Sequence, residues 1–406
     1  MGGAASHGSE RARPRLAVLG SRGIPARYGG FETFAEALAV GLVARGFEVT
    51  VYGERRPEPQ PREHRGVRLV HLARPPLGPA GTLLFDLACL RHARRAHEVV
   101  YMLGYGAGAF LGLGRRPGNE VWVNMDGREW RRAKWSAPAR LWLRRMERAA
   151  LAQADRIVFD CAAVREEVVP PQAPERERTT VIAYGAERQL TPDPNVLGDL
   201  GLAPGGFDLC LARIEPENHV LEIVRAATRG ARPLLVVGDI ERARDYGRRC
   251  RAAAGPAVRF LGALHDAPVL ARLRGAARAV LHGHSVGGTN PALLEAMAAG
   301  ALVLAHDNPY NREVLGPHGL FWSDENGLAQ ALGALDGLTA IRRGELTCGA
   351  QARIAAHYTW EQVVEAYAAL LEPRTTALAA TSSERRPGPP AALPARAPQA
   401  TPEAHR

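Results

Sequence analysis

Two stretches decide how this chain is read: Gly20-Ser-Arg-Gly-Ile-Pro-Ala-Arg-Tyr-Gly-Gly-Phe-Glu32 and His282-Gly-His-Ser-Val-Gly-Gly-Thr-Asn-Pro-Ala-Leu-Leu-Glu295. Each follows an apolar run, Leu16–Leu19 in the first case and Ala279–Leu281 in the second, and each leads into residues with helical spacing. A glycine-rich turn that opens a helix presents unpaired backbone N–H groups, and the helix dipole adds positive potential, so an anion is favoured there. One such turn in each half of the chain implies a phosphorylated ligand held between two domains. Neither turn is the dinucleotide fingerprint, because the first runs Gly20, Gly23, Gly29, Gly30 and lacks G-x-G-x-x-G.

Working outward, apolar strand-like runs alternate with helical runs on both sides of these turns. The first series is Leu16–Leu19, Phe47–Tyr52, Val67–Leu72, Val99–Leu103, Val121–Asn124, Arg156–Phe159 and Thr180–Ala183. The second is Asp208–Ala212, Leu234–Val237, Val258–Leu261, Ala279–Leu281, Leu302–Ala305 and Leu320–Trp322. Such alternation predicts an α/β fold of two Rossmann-like, doubly wound parallel-sheet domains facing a cleft. The expected organisation is a disordered leader over 1–13, a first domain over 14–190, a Pro/Asp/Asn/Gly-rich linker over 191–206, a second domain over 207–357, an amphipathic helix over 359–371 and a disordered tail over 373–406. At 406 residues the chain is long enough for both cores.

Composition narrows the class. The net charge of +10 favours an anionic partner. Five scattered cysteines without C-x-x-C spacing argue against a zinc site or a disulfide framework and suit a reducing, cytoplasmic setting. The uncharged run Val99–Gly114 is too short and too glycine-rich to span a bilayer, which leaves a buried strand followed by a loop.

Four groups of residues carry candidate chemistry. Gly29 and Gly30 allow a ligand to approach the first helix closely. In the second turn, Gly287 and Gly288 precede Thr289 and Asn290, which are placed to cap a helix with Pro291 at its first position. Glu295, one turn along, can accept hydrogen bonds from sugar hydroxyls, or else is a solvated helix residue. Arg213, in Ala212-Arg-Ile-Glu-Pro-Glu-Asn218 beyond a strand end, can meet a phosphate with its planar fork, or pair with Glu215 or Glu217 on the surface. Asp126, in Asn124-Met-Asp-Gly-Arg-Glu-Trp130, can bind a hydroxyl or act as a base, or simply form a turn.

A further segment, 128–148, holds eight basic residues against two glutamates, over half the net charge of +10, with Trp130, Trp135 and Trp142 interleaved. Tryptophan with arginine on one helix suits an anionic membrane interface. A solvated basic face is the plain alternative, and no nucleic-acid-binding module accompanies the segment.

Together these motifs resemble the GT-B glycosyltransferases of the "glycosyl transferases group 1" class, and within it the bacterial rhamnosyltransferase-like branch. Gly20–Phe34, Asn124–Trp135, Ala212–Asn218 and His284–Met297 carry the resemblance, which covers about residues 14–372. It implies a nucleotide-diphosphate sugar, dTDP- or UDP-linked, bound mainly by the second domain. Glu295 would hold the ribose, Arg213 would neutralise the diphosphate, and Gly29 and Gly30 would approach it from the first domain. Asn218, Gly287, Gly288, Thr289 and Asn290 complete the implied donor site, with Asp126 on the acceptor side. The class commonly carries a glutamate where this chain has Gly287, and a lysine near Asn218. The resemblance further implies transfer with retention, no obligatory metal or other cofactor, and a final helix that crosses back to the first domain. The expected activity is transfer of a sugar, rhamnose among the candidates, to a lipid-linked or polysaccharide acceptor at the inner face of the plasma membrane. A non-catalytic nucleotide-sugar-binding protein and a nucleotide-sugar epimerase of the same fold are the rivals.

Overall fold

The computed structural model describes residues 13–27, 29–187 and 196–383. Two sheets form the framework. The first contains β1 (Leu16–Leu19), β2 (Val49–Glu54), β3 (Glu63–His64), β4 (Val67–Leu72), β5 (Val99–Leu103), β6 (Glu120–Met125), β7 (Arg156–Phe159) and β8 (Thr179–Val181). Their spatial order is β3-β4-β2-β1-β5-β6-β7-β8, and every pairing is parallel except β3 with β4. The second sheet contains β9 (Asp208–Leu211), β10 (Leu234–Val237), β11 (Val258–Gly262), β12 (Ala279–His282), β13 (Val303–His306) and β14 (Leu320–Trp322), in the order β11-β10-β9-β12-β13-β14, all parallel. This is the expected pair of doubly wound α/β domains.

Helices cover both faces of each sheet, so the central strands are apolar along their whole length: β1, β5 and β10 are buried at every position. Each leucine so buried contributes about 2 kcal/mol. Among the strands of the described residues, only β3 escapes the sequence reading. It is a two-residue antiparallel edge with no apolar run to mark it. Val99–Gly114 forms β5 and then a 3-10 turn, Gly108–Gly114.

Strand order fixes where a ligand belongs. In an open parallel sheet, the crevice lies beyond the carboxyl ends of the strands, where the winding reverses. The reversal falls between β1 and β5 in the first sheet and between β9 and β12 in the second. The first glycine turn follows β1, the Arg213 segment follows β9 and the second glycine turn follows β12. Three motifs far apart in sequence therefore end at the two switch points.

Residues 188–195 lie outside the described residues, as do the leader apart from Arg13 and the tail beyond Ser383. The remainder of the expected linker is not featureless: Val196–Asp199 makes one helical turn with Val196 and Leu197 buried. The last helix, Trp360–Ser383, runs past the expected end at 371. It lies on the helix Gly30–Ala44 of the first domain. Gly41 permits this, since a Cβ there would sit 2.5 Å from Val364 Cγ2. The ring of Phe34 meets Trp360 and Tyr367 at centroid distances of 6.3 and 5.8 Å. Tyr367 and Tyr101 of β5 share a hydroxyl hydrogen bond of 2.7 Å.

Candidate active site

The two glycine turns face each other across the cleft. Gly30 opens the helix Gly30–Ala44, and a Cβ on it would stand 3.9 Å from Pro291 Cγ of the opposing domain. Gly29 has φ +119°, and the space of its missing Cβ is filled by the Glu32 carboxylate, whose Oε1 accepts the Arg22 N–H at 3.0 Å. A third approach is tighter. Gly127, beside Asp126, has φ +66°, and a Cβ there would lie 2.5 Å from Gly287 Cα. Gly288 is pressed against the first domain too, its Cβ position only 2.0 Å from Asp160 Oδ1.

On the second domain, Asn290 caps the helix Pro291–Ala298 by accepting from Ala292 N at 2.9 Å. Thr289 does something else: its hydroxyl donates to the Asp160 carbonyl of the first domain at 2.5 Å. Glu295 is half-exposed on this helix and accepts from Arg274, a buried guanidinium. Arg213 stands just beyond β9 with its side chain 48% exposed, 3.7 Å from Glu215. It is accessible to solvent and stands near one of the two acids named as its surface partners.

Asn218 is buried, and its amide is committed to the protein. Nδ2 donates to the Arg213 carbonyl at 2.8 Å, and Oδ1 lies 2.8 Å from His284 Nδ1. Its place is between two loops of the second domain, holding Arg213's turn against His284, and not in the open cleft. Because Asn218 Oδ1 can only accept, His284 must carry its proton on Nδ1. Burial, with His282 and the guanidinium groups of Arg132 and Arg213 nearby, keeps the His284 ring neutral well below the usual histidine range. Its Nε2 then points a lone pair at Gly287, where a Cβ would stand 3.0 Å away.

Asp126 accepts from the Tyr184 hydroxyl at 3.3 Å. Burial pushes its carboxyl up, and Arg132 and Arg213 pull the other way. Arg132 spans the cleft: it is buried, 2.5 Å from Glu129 of its own domain and 3.7 and 3.9 Å from Glu215 and Glu217 of the other. The sequence reading counted Arg132 only as one charge in a basic run, and did not register Asp160 or His284 as site residues.

The rest of the basic run divides in two. Arg128 and Arg131 pair with Glu167, and Lys134 pairs with Glu129. The Trp130 indole donates to Glu147 at 2.9 Å and lies under Arg144 at 4.1 Å. Further along the helix Ala137–Gln153, the outer face shows Arg140, Arg145 and Arg148 with the exposed side chains of Leu141 and Trp142. Among the described residues no helix is long and apolar enough to cross a membrane.

Residues 14–187 match a domain of unknown function (DUF1972), and residues 209–336 match the family described as Glycosyl transferases group 1. A comparison with curated proteins found no match. Similar solved structures include sucrose-phosphate synthase from Thermosynechococcus elongatus, at 20% identity and a TM-score of 0.77 over 90% of this chain and 100% of that one. Anabaena HepE in complex with UDP-glucose is similar at 17% identity and a TM-score of 0.69, over 89% of this chain and 100% of that one. The α,α-trehalose 6-phosphate synthase of Burkholderia multivorans follows at 14% identity and a TM-score of 0.67, covering 93% and 100%. The chain has the GT-B architecture. With the group 1 match over the second domain, this supports a GT-B glycosyltransferase.

Proposed function

We propose that this protein moves a sugar, with retention, from a nucleotide-diphosphate donor to a lipid-linked or polysaccharide acceptor in cell-surface glycan assembly. The donor is dTDP- or UDP-linked, and rhamnose is the first sugar to test. The observation that carries this reading is the meeting of Gly30 with Pro291 and of Gly127 with Gly287, with Arg213 near enough to act on the neighbouring Asp126. Glycine turns that open helices, together with an accessible guanidinium, are the groups a diphosphate calls for. HepE, of similar fold, is recorded with UDP-glucose.

In this reading Arg213 and the helix N-termini at Gly30 and Pro291 take up the charge of the departing diphosphate. Glu295 accepts from the ribose hydroxyls, Asp126 orients the acceptor hydroxyl, and Gly287, Gly288, Thr289 and Asn290 line the phosphate path. Catalysis is then largely positional and electrostatic, with no resident metal or other cofactor required of the protein. The Arg140–Arg148 face, with Leu141 and Trp142, rests on anionic lipid at the cytoplasmic side of the membrane.

Turnover of labelled dTDP- and UDP-sugars by Arg213→Ala and Glu295→Ala tests the assignment. Losing one donor-side contact should lower kcat/KM by about 10²-fold or more in each. Wild-type turnover in both variants would defeat it.

A further inference from the structure

Asp160 is the first residue beyond β7 and belongs to none of the motifs above. It is 1% exposed, and neither carboxyl oxygen has a hydrogen-bond partner among the described residues. The main chain around it is held firmly from the other domain. Its carbonyl accepts from Thr289, and the Glu313 carboxylate accepts from Cys161 Sγ at 3.1 Å, Ala162 N at 2.8 Å and Ala163 N at 2.7 Å. Gly288 closes over the carboxyl itself.

The acidic side chains around this carboxyl do not favour a negative charge. Burial, with repulsion from Asp126 after β6 and from Glu313 of the helix Pro309–Leu315, raises it well above the usual carboxylate range, against the opposing pull of the main-chain N–H dipoles of Thr289 and Asp160 itself. The phenols of Tyr101, Tyr184 and Tyr367 also feel its charge, and burial keeps all three protonated. Arg132 and Arg213 act on Asp126. A dry, unpartnered carboxylate pressed on a glycine loop is a costly arrangement, whereas the neutral acid is not.

We propose that Asp160 is a positioning residue for the Gly287–Asn290 loop, and that the cleft closes over it only when its carboxyl is neutral, so that closure takes up a proton. When the domains part, Gly288 leaves the carboxyl, water reaches it and it ionises in the ordinary range. The sign follows from linkage: the closed form binds the proton more tightly, so rising pH favours the open form. Closure and donor-loop geometry are then coupled through one buried acid. Only the part of the test that uses a nucleotide sugar rests on the donor-site reading.

The test compares the full-length wild type with Asp160→Asn, whose amide stays neutral at every pH. Small-angle scattering without ligand, from about pH 6 to about pH 9, should show the wild-type radius of gyration growing with pH and that of the variant unchanged. Identical profiles would overturn the proposal. Calorimetry with UDP-glucose and dTDP-glucose, in buffers of different ionisation heat, should show proton uptake approaching about one per site in the wild type and none in the variant. Equal uptake in both would also overturn it. Absence of binding to either chain would sink the donor assignment, and scattering alone would then decide. Asp160→Ser serves in the same way if the asparagine variant does not fold.

Discussion

Gly127→Ala probes the cross-cleft contact on which the functional reading depends. Two costs are built into the site. At φ +66° an alanine occupies the left-handed region, at about 1–2 kcal/mol. The new methyl would also lie 2.5 Å from Gly287 Cα and 3.1 Å from Gly287 C. Both neighbours are main chain of the opposing domain, and ordinary carbon contacts are about 3.5–4.0 Å, so the loops must separate by about 1 Å. Misplacement on that scale near reacting atoms costs about 10²-fold in rate. Gly201→Ala supplies the control, since Gly201 has φ +65° and a Cβ there meets nothing within 4 Å. In urea unfolding, both variants should lose about 1 kcal/mol or slightly more. In a donor-turnover assay only Gly127→Ala should fall, by about 10²-fold, with weaker nucleotide-sugar binding. Equal activity in the two variants would refute the claim that Gly127 and Gly287 jointly shape the site.

Glu313→Ala removes the acceptor for two main-chain amides and a thiol across the domain seam, and should cost about 1.5–3 kcal/mol because these bonds are charge-assisted; an unchanged urea midpoint would show that the seam does not depend on it. Asp86 is held up to about 7 by burial, with Glu54 adding to the effect. Its neutral form is the one the folded state favours, so stability is full below the ordinary carboxylate range and falls as pH rises towards about 7. Asp86→Asn should therefore raise the melting temperature at about pH 8 and change little at about pH 4. A melting curve displaced equally at both values would contradict that account.

Much of the fold was legible because each sheet is covered on both faces, which makes its strands continuous apolar runs such as Leu16–Leu19 and Leu234–Val237. The glycine turns were legible for a related reason, since close approach of backbones leaves few other residue choices. What sequence could not supply was the partners. Arg132 reads as one of eight basic residues until Glu215 and Glu217, more than eighty positions away, are placed beside it. Asp160 ends an ordinary strand, and its significance comes from Gly288, Asp126 and Glu313 closing around it. The only local signal was an acid directly after the apolar run Ile157–Phe159. Asn218 pointed to the right loop but not to its role, because the hydrogen bond to His284 joins two segments that sequence alone does not bring together.

The return of the helix beginning at Trp360 onto the helix Gly30–Ala44 has a consequence for biosynthesis. Tyr367 and Val364 fill space against Phe34 and Gly41, residues translated more than three hundred codons earlier. The amino-terminal half thus leaves the ribosome first but cannot complete its interior until nearly the whole polypeptide has emerged. A premature stop just before Trp360 would spare both sheets and still strand an apolar groove along Phe34 and Leu38, a surface for chaperones to hold.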